Sequence, residues 1–398
     1  MPTRVKLRPG RFQIGHGPWI HKDEVAKVLG PPDPADLVEV LDQRDQTVGW
    51  GLVSPDADLR VRLVAHGAAR PPDDWLERRL HAALAARAAL GLAADPDTDA
   101  YREVNSEGDG LPGLTVDRYG DDRVVQLATP AMAARRDALA GFFAARTPGR
   151  LFVFAPESAQ ARERFTLEPQ LHGDGAVLEY RQSGLVFATP APPAQKTGAY
   201  LDQRDNQRLV AGLAARVGGP VLDLGCHVGG FALHAAARGL DVVGLDQSAR
   251  ALEFARRNAA RNDLSSRTAW VQADMFAPLT DPALAGPFGV VVVDPPRMVS
   301  RPGQVERGRL ALRECLARVI PRLRPGGFLV VCSCSHHLDR RHLDEAVLAA
   351  ARSDPAAWPA GPELTRVHAL GPGPDHPVWP AHQQGEYLRV NVYQRRDP

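Results

Sequence analysis

Lysine, cysteine, net charge and long apolar runs are all scarce in this chain of 398 residues, and each shortage excludes something. Four cysteines (Cys226, Cys315, Cys332, Cys334) are too few for a disulfide framework at this length, and reduced thiols suit a cytoplasmic address. No apolar run approaches the roughly 18 residues that a membrane span needs. The opening Met1–Gly10 carries charges with no apolar stretch behind them, so neither a secretory leader nor a membrane partner is expected. A formal charge of +1 excludes histone-like, globally basic binding of nucleic acid, while leaving room for a local basic patch. Of the 48 lysines and arginines only four are lysine (Lys6, Lys22, Lys27, Lys196). Arginine is therefore the default cation and says little by itself, whereas a lysine retained against that bias says more.

At about 150 residues per domain the length predicts two to three domains. From Arg4 to about Arg70 apolar and polar residues often alternate, as in Leu59, Val61 and Leu63 against Arg60 and Arg62, which predicts half-buried strands of a small β barrel. Asp73 or Asp74 can cap a helix carrying Leu76, Leu80, Leu84 and Leu90 and closed by Gly91. Val116–Leu127 then reads as a hairpin bent at Gly120, Asp121 and Asp122, so the middle of the chain is α+β. Thr189–Pro193 (TPAPP) is the best linker. Beyond it, apolar runs of parallel-strand length (Val221–Leu224, Val242–Leu245, Ala269–Gln272, Val290–Val293, Phe328–Cys332) alternate with helix-compatible segments such as Ala249–Asn262 and Arg307–Ile320. That rhythm predicts an α/β, doubly wound sheet with ligands at the carboxyl ends of its strands.

The first of those strands runs into VLDLGCHVGGF, in which Asp223 is followed by Gly225, Gly229 and Gly230 at a helix start. Such turns serve dinucleotides and S-adenosylmethionine alike, and a tight turn holding no ligand also fits. Asp246 ends the second strand, where a carboxylate can accept both ribose hydroxyls, and Asp274 follows the third, placed for an adenine amine; each also reads as a turn or cap. The fourth strand ends in Asp294-Pro295-Pro296. Two prolines remove backbone donors and make a rigid turn, suited to holding the exocyclic amine and ring nitrogen of a planar base beside a methyl donor.

The fifth strand ends in FLVVCSCSHH. Cys332 lies within the apolar run and reads as core, while Cys334 sits two residues on, at the rim that holds Asp294. A metal site is the weakest reading of this run, since no second Cys/His cluster completes it. Carbon 5 of a pyrimidine becomes nucleophilic only after a thiolate adds to carbon 6, so a rim thiol beside a methyl donor suits that chemistry as well as inert burial.

Gln195–Arg208 reads QKTGAYLDQRDNQR, with one of the four lysines inside it. Taken with GPWI (Gly17–Ile20), NSEGDGLPGLTVDRYGD (Asn105–Asp121), GGF, DPP, SCS and DHPV (Asp375–Val378), the chain resembles, over nearly its whole length, the bacterial RlmI-type 23S rRNA (cytosine-5) methyltransferases. The resemblance implies a PUA-like RNA-binding domain over 1–72, an EEHEE-type α+β domain over 73–188, and a Rossmann-like class I methyltransferase domain over 189–398. It implies S-adenosylmethionine as cofactor, 23S ribosomal RNA as partner, and a homodimer as a candidate assembly. Carried over by position, Lys196, Thr197, Gly198 and the stretch Tyr200–Arg204 flank the cofactor; Asp223, Gly225, Gly229, Asp246, Asp274 and Asp294 line its site. Asp294 grips the base and Cys334 is the nucleophile. The chain departs from the family's usual pattern with Arg297-Met298 after the prolines and His227-Val228 before GGF.

Between Arg297 and Arg341 ten arginines face only Glu306, Glu314 and Asp339, an excess that marks Arg297, Arg301, Arg307 and Arg309 as candidate phosphate contacts or as a solvated face. Two competing readings stand beside cytosine-5 methylation. One is N-methylation of a base amine through Asp-Pro-Pro, which needs no thiol but would call for an aromatic where Met298 stands. The other is an RNA-binding protein that keeps the fold without catalysing.

Overall fold

In the computed structural model, residues 3–10, 16–191, 198–353 and 363–396 are described, and they form two compact units. The first comprises 1–180, 190–198 and 374–385; the second comprises 181–189, 199–373 and 386–398.

In the first unit six short strands (Arg4–Leu7, Trp19–His21, Val25–Leu29, Leu37–Leu41, Thr47–Val53, Leu59–His66) form one sheet that is antiparallel except where the first strand pairs with the fourth. Val5, Leu7, Ile20, Val38, Val40, Val53, Val61 and Leu63 make a single apolar cluster against which Val25 and Val28 pack, so all six strands curl round one core. Strict alternation fails at Arg62, which is buried rather than solvated. Its guanidinium meets Glu163 through two bonds of 3.0 and 2.6 Å, and Ser54 Oγ accepts a third at 3.2 Å. Burial of the charge is offset by a partner of matching planar geometry.

The expected helix runs Trp75–Ala89, and Gly91 (φ 78°) lets the chain turn away after it. Leu80 is buried, but Leu90 is exposed and Arg87 takes the inner face, because Asp109 holds Arg87 bidentately at 2.6 and 2.8 Å. The hairpin appears as Leu114–Tyr119 and Asp122–Leu127, paired from Leu114↔Leu127 to Tyr119↔Asp122, within a five-stranded sheet. One core joins Leu37, Trp50, Leu52 and Val64 to Trp75, Leu80, Val116, Val125 and Phe143. Packing thus groups the two expected N-terminal domains in one unit. Pro374–Gly385 belongs to that unit too, although in sequence it interrupts the second.

The second unit is built on seven strands: β1 (Val221–Leu224), β2 (Val242–Asp246), β3 (Thr268–Gln272), β4 (Phe288–Val293), β5 (Leu323–Ser333), β6 (Glu363–Leu370) and β7 (Arg389–Arg396). Their order is β3-β2-β1-β4-β5-β7-β6, parallel from β3 to β5, with β7 antiparallel to both of its neighbours. The doubly wound prediction holds, and each apolar run falls within a strand. The order reverses between β1 and β4, which opens a crevice at their carboxyl ends.

Period-two alternation distributes each strand between two cores. Leu222, Leu224, Val291, Val293, Leu329 and Val331 pack with Leu312, Leu316, Leu343 and Val347 of the helices Val305–Val319 and Arg340–Ala351. Val221, Val290, Val292, Val330 and Cys332 pack instead with Val210 and Ala214 of the helix Arg204–Val217 and with Phe231, Ala232 and Ala235 of Gly230–Ala236. All six residues of β4 are buried, as a central strand covered by helices on both faces requires.

Replacing Glu163 with leucine should leave the buried Arg62 charge undercompensated and destabilise the first unit by about 3 kcal/mol. Urea unfolding followed by tryptophan fluorescence measures this, and a loss within experimental scatter would show that the pair stabilises nothing.

Candidate active site

The same alternation decides which side chains meet at the crevice. Asp223 follows Leu222 on β1 and so lies on the Val221 side. Asp294 continues the Val290, Val292 series, and Cys334 continues Val330, Cys332. All three share the face covered by Arg204–Val217. Register places Val293 opposite Val331, so Asp294 is level with Cys332 and Cys334 stands one side-chain repeat beyond.

The floor of the crevice is a close backbone approach. Asp294 N donates to Leu224 O at 2.9 Å, and a Cβ on Gly225 would stand 2.2 Å from Asp294 O and 2.9 Å from Met275 Cε. Gly225 also has φ 82°, so glycine is needed here for the contact between β1 and β4 themselves. Gly229 (φ 92°) is likewise closed in by Trp270 and Leu233.

Asp223 is fully buried. Its Oδ2 accepts from Ala232 N at 3.0 Å, while Oδ1 has no hydrogen-bond partner among the described residues. Burial, with Asp294 and Asp246 adding to it, pushes this carboxyl up to about 8. Asp246 accepts from His227 N through Oδ2 and from Ser248 N through Oδ1, both at 2.9 Å, so it braces the turn after β1 and keeps further lone pairs for hydroxyl donors. Asp274 is exposed and accepts from Phe276 N at 2.9 Å, the geometry of a turn. Gly198 has φ 134°, and Lys196 and Thr197 lie outside the described residues.

Three of the four cysteines are buried and Cys334 alone is partly exposed. Burial pushes the Cys226 and Cys332 thiols well above their usual range and Cys315 up to about 12, which keeps all three protonated and inert. Tyr200 sets its ring edge-on to His227, with centroids 4.9 Å apart, and burial followed by Asp294 and Cys334 raises its phenol. Gln203, in the short turn of helix Leu201–Gln203, donates from Nε2 to Asp294 Oδ2 at 3.2 Å. Sequence reasoning placed Tyr200 and Gln203 in a flanking segment without roles, because only the fold shows what they touch.

Arg297, Arg301 and Arg307 are exposed. Arg309 is engaged by Glu306 and Glu345, each at 2.8 Å, and Glu345 also holds Arg341. The apparent basic excess is thus partly spent inside the helix pair.

The Asp294 and Asp246 carboxylates beside the orphaned Oδ1 of the Asp223 carboxyl suit a polar, cationic ligand, and a sulfonium compound bearing an ammonium group fits the residues present. Asp294 would face its charged part and Asp246 its hydroxyls.

Residues 216–390 match the model of a methyltransferase domain and residues 6–66 that of a PUA-like domain. The chain is 38% identical to the ribosomal RNA large subunit methyltransferase of Deinococcus radiodurans, over 97% of this chain and 96% of that protein. It is 32% identical to the ribosomal RNA large subunit methyltransferase I of Shewanella denitrificans over 98% of each. In fold it is similar to a solved structure described as a SAM-dependent methyltransferase from Streptococcus mutans, with a TM-score of 0.79 at 15% identity over 99% of this chain and 100% of that one.

Asp223 makes stability depend on pH. Its carboxyl holds a proton in the folded chain up to about 8, against 3.8 for an ordinary aspartate, so the stability it confers is complete below the lower value and is lost as pH rises through that window. Asp223→Asn should therefore gain on the native protein between mildly acidic and mildly basic pH in thermal melts. A constant gap between the two would show that Asp223 ionises normally.

Proposed function

Since this chain belongs to the ribosomal RNA large subunit methyltransferase family, we propose that it forms 5-methylcytosine in 23S ribosomal RNA through the Cys334 thiolate. It is an S-adenosylmethionine-dependent methyltransferase. The observation that supports the finer reading is the contrast among thiols: three are buried, and the fourth, one residue past β5 and one side-chain repeat beyond the level of Asp294, is partly exposed.

When bound, S-adenosylmethionine supplies a methyl group carried on a sulfonium. Asp223 and Asp246 bind and orient it, and Asp294 holds the edge of the target base. The Cys334 thiolate adds to carbon 6, and the electron pair of the 5,6 double bond makes carbon 5 the nucleophile that takes the methyl. Loss of the carbon 5 proton to a base restores the double bond and expels the thiolate. Arg297, Arg301 and Arg307 would meet RNA phosphates, with the PUA-like domain reading shape beyond the target.

Nucleoside mass spectrometry of reacted 23S rRNA tests the product. Cys334→Ala should abolish turnover while sparing cofactor affinity, because the thiol acts only along the reaction path. RNA carrying 5-fluorocytidine should trap a covalent adduct with the native protein, since fluorine cannot leave as a proton does. Methylation that survives in Cys334→Ala, with no adduct in the native enzyme, would move the reaction to a base amine held by Asp294.

Two further substitutions test the binding roles. Asp246→Asn, which keeps one oxygen acceptor for the turn, should weaken S-adenosylmethionine roughly tenfold to a hundredfold by calorimetry, the scale of a lost hydrogen bond to a charged group. Reversing Arg301 and Arg307 to glutamate together should lower RNA affinity and flatten its dependence on salt, with cofactor affinity unchanged.

A further inference from the structure

Gln203 is 2% exposed, and both ends of its amide are committed. Asn206 Nδ2 donates to Gln203 Oε1 at 2.7 Å, and Gln203 Nε2 donates to Asp294 Oδ2 at 3.2 Å. Asn206 is itself anchored, since its Nδ2 also donates to Gly371 O at 3.0 Å. An amide nitrogen only donates and an amide oxygen only accepts, so the bond to Gly371 O sets the direction of the whole series. Gln203 cannot turn round without setting its oxygen against the Asp294 carboxylate and its nitrogen against the Asn206 amide.

We propose that Gln203 holds Asp294 as a hydrogen-bond acceptor and thereby makes the crevice select a pyrimidine with an exocyclic amine over one with a carbonyl at the same position. Cytosine offers a donor there and uracil an acceptor. An acceptor set against an acceptor in a partly buried crevice leaves both unpaired, and sites built round one such bond reject the analogue strongly. The inference rests on Asp294 touching the target base, as in the function proposed above.

Asp223 on β1, Cys332 on β5 and Tyr200 ahead of Gln203 all interact with Asp294, and each of them carries its own proton at neutral pH. A proton on Asp294 would turn it into a donor. The Gln203 N–H opposes that proton, because a carboxylate accepts it and a protonated oxygen does so less well.

The full-length protein with a 23S rRNA transcript tests this through the pH dependence of kcat/KM in two near-isosteric variants. In Gln203→Met the donor is gone, so the acid limb should move to higher pH and neutral-pH kcat/KM for cytidine should fall roughly tenfold to a hundredfold. In Gln203→Glu two carboxyls must share a proton, so activity should survive at acid pH and fall as pH rises, a slope opposite to that of the methionine variant. Preference for a cytidine over a uridine transcript should narrow in both. Variants that lose activity with the native pH profile and native preference would make Gln203 a packing residue and overturn the proposal. A native product other than 5-methylcytidine would overturn the function proposed above, whereas the acid limb reports on Asp294 whichever base atom receives the methyl.

Discussion

The catalytic half of this protein depends on one backbone approach, in which Gly225 meets the Asp294 carbonyl. Parallel strands β1 and β4 run side by side, and at their carboxyl ends the chain has to leave in two directions without covering the crevice between them. A bond from Asp294 N to Leu224 O ties the two ends together, and the missing Cβ at Gly225 lets them close to contact. Asp223, Asp294 and, one strand further on, Cys334 are then carried to one face by the two-residue period of their strands. Any residue with a side chain at 225 would separate β1 from β4, and the carboxylates would no longer share a pocket.

Polar burial follows a different logic in each unit. In the first, charge is buried in matched pairs: Arg62 with Glu163, Arg87 with Asp109, Arg102 with Asp117 and Arg123 with Glu103, each through two nitrogens and both carboxylate oxygens. A lysine could supply only a point charge at these places. The compositional preference for arginine, uninformative when read as composition, is thus put to structural use. In the second unit the crevice keeps a buried carboxylate short of hydrogen bonds at Asp223. One unit pairs these buried charges internally, and the other holds a buried carboxyl that keeps its proton up to about 8.

The turn after β1 combines both demands. Asp246 holds it through two backbone amides while standing where a ribose would be gripped, so the carboxylate is a brace as well as a candidate ligand contact. His227, with φ 49°, is held in a left-handed conformation by one of those bonds and offers its ring edge to Tyr200. The segment ahead of the helix Arg204–Val217 then reaches Asp294 through Gln203. Residues far apart in the chain are fixed relative to one another by a few directional bonds, each short enough to set an orientation.

By itself the sequence determined the rhythm of the second unit, since strands buried on both faces must be apolar runs and the helices between them must be amphipathic. VVVV before Asp294 and FLVVC before Ser333 could only be central strands, and the glycines after Asp223 could only mark a sharp turn. It also marked Cys334 as the thiol beyond the apolar run, although Ser333 and Ser335 on either side of it are still buried. Only the tertiary structure decided that Arg62 and Arg87 point inward, because their partners Glu163 and Asp109 lie elsewhere in the chain and no local period announces them. It alone decided that Pro374–Gly385 packs with the first unit, that Arg309 is spent on Glu306 and Glu345, and that Gln203 touches Asp294. Periodicity along one element is a local property that a sequence carries openly, whereas the pairing of polar side chains depends on distances that exist only once the elements are packed.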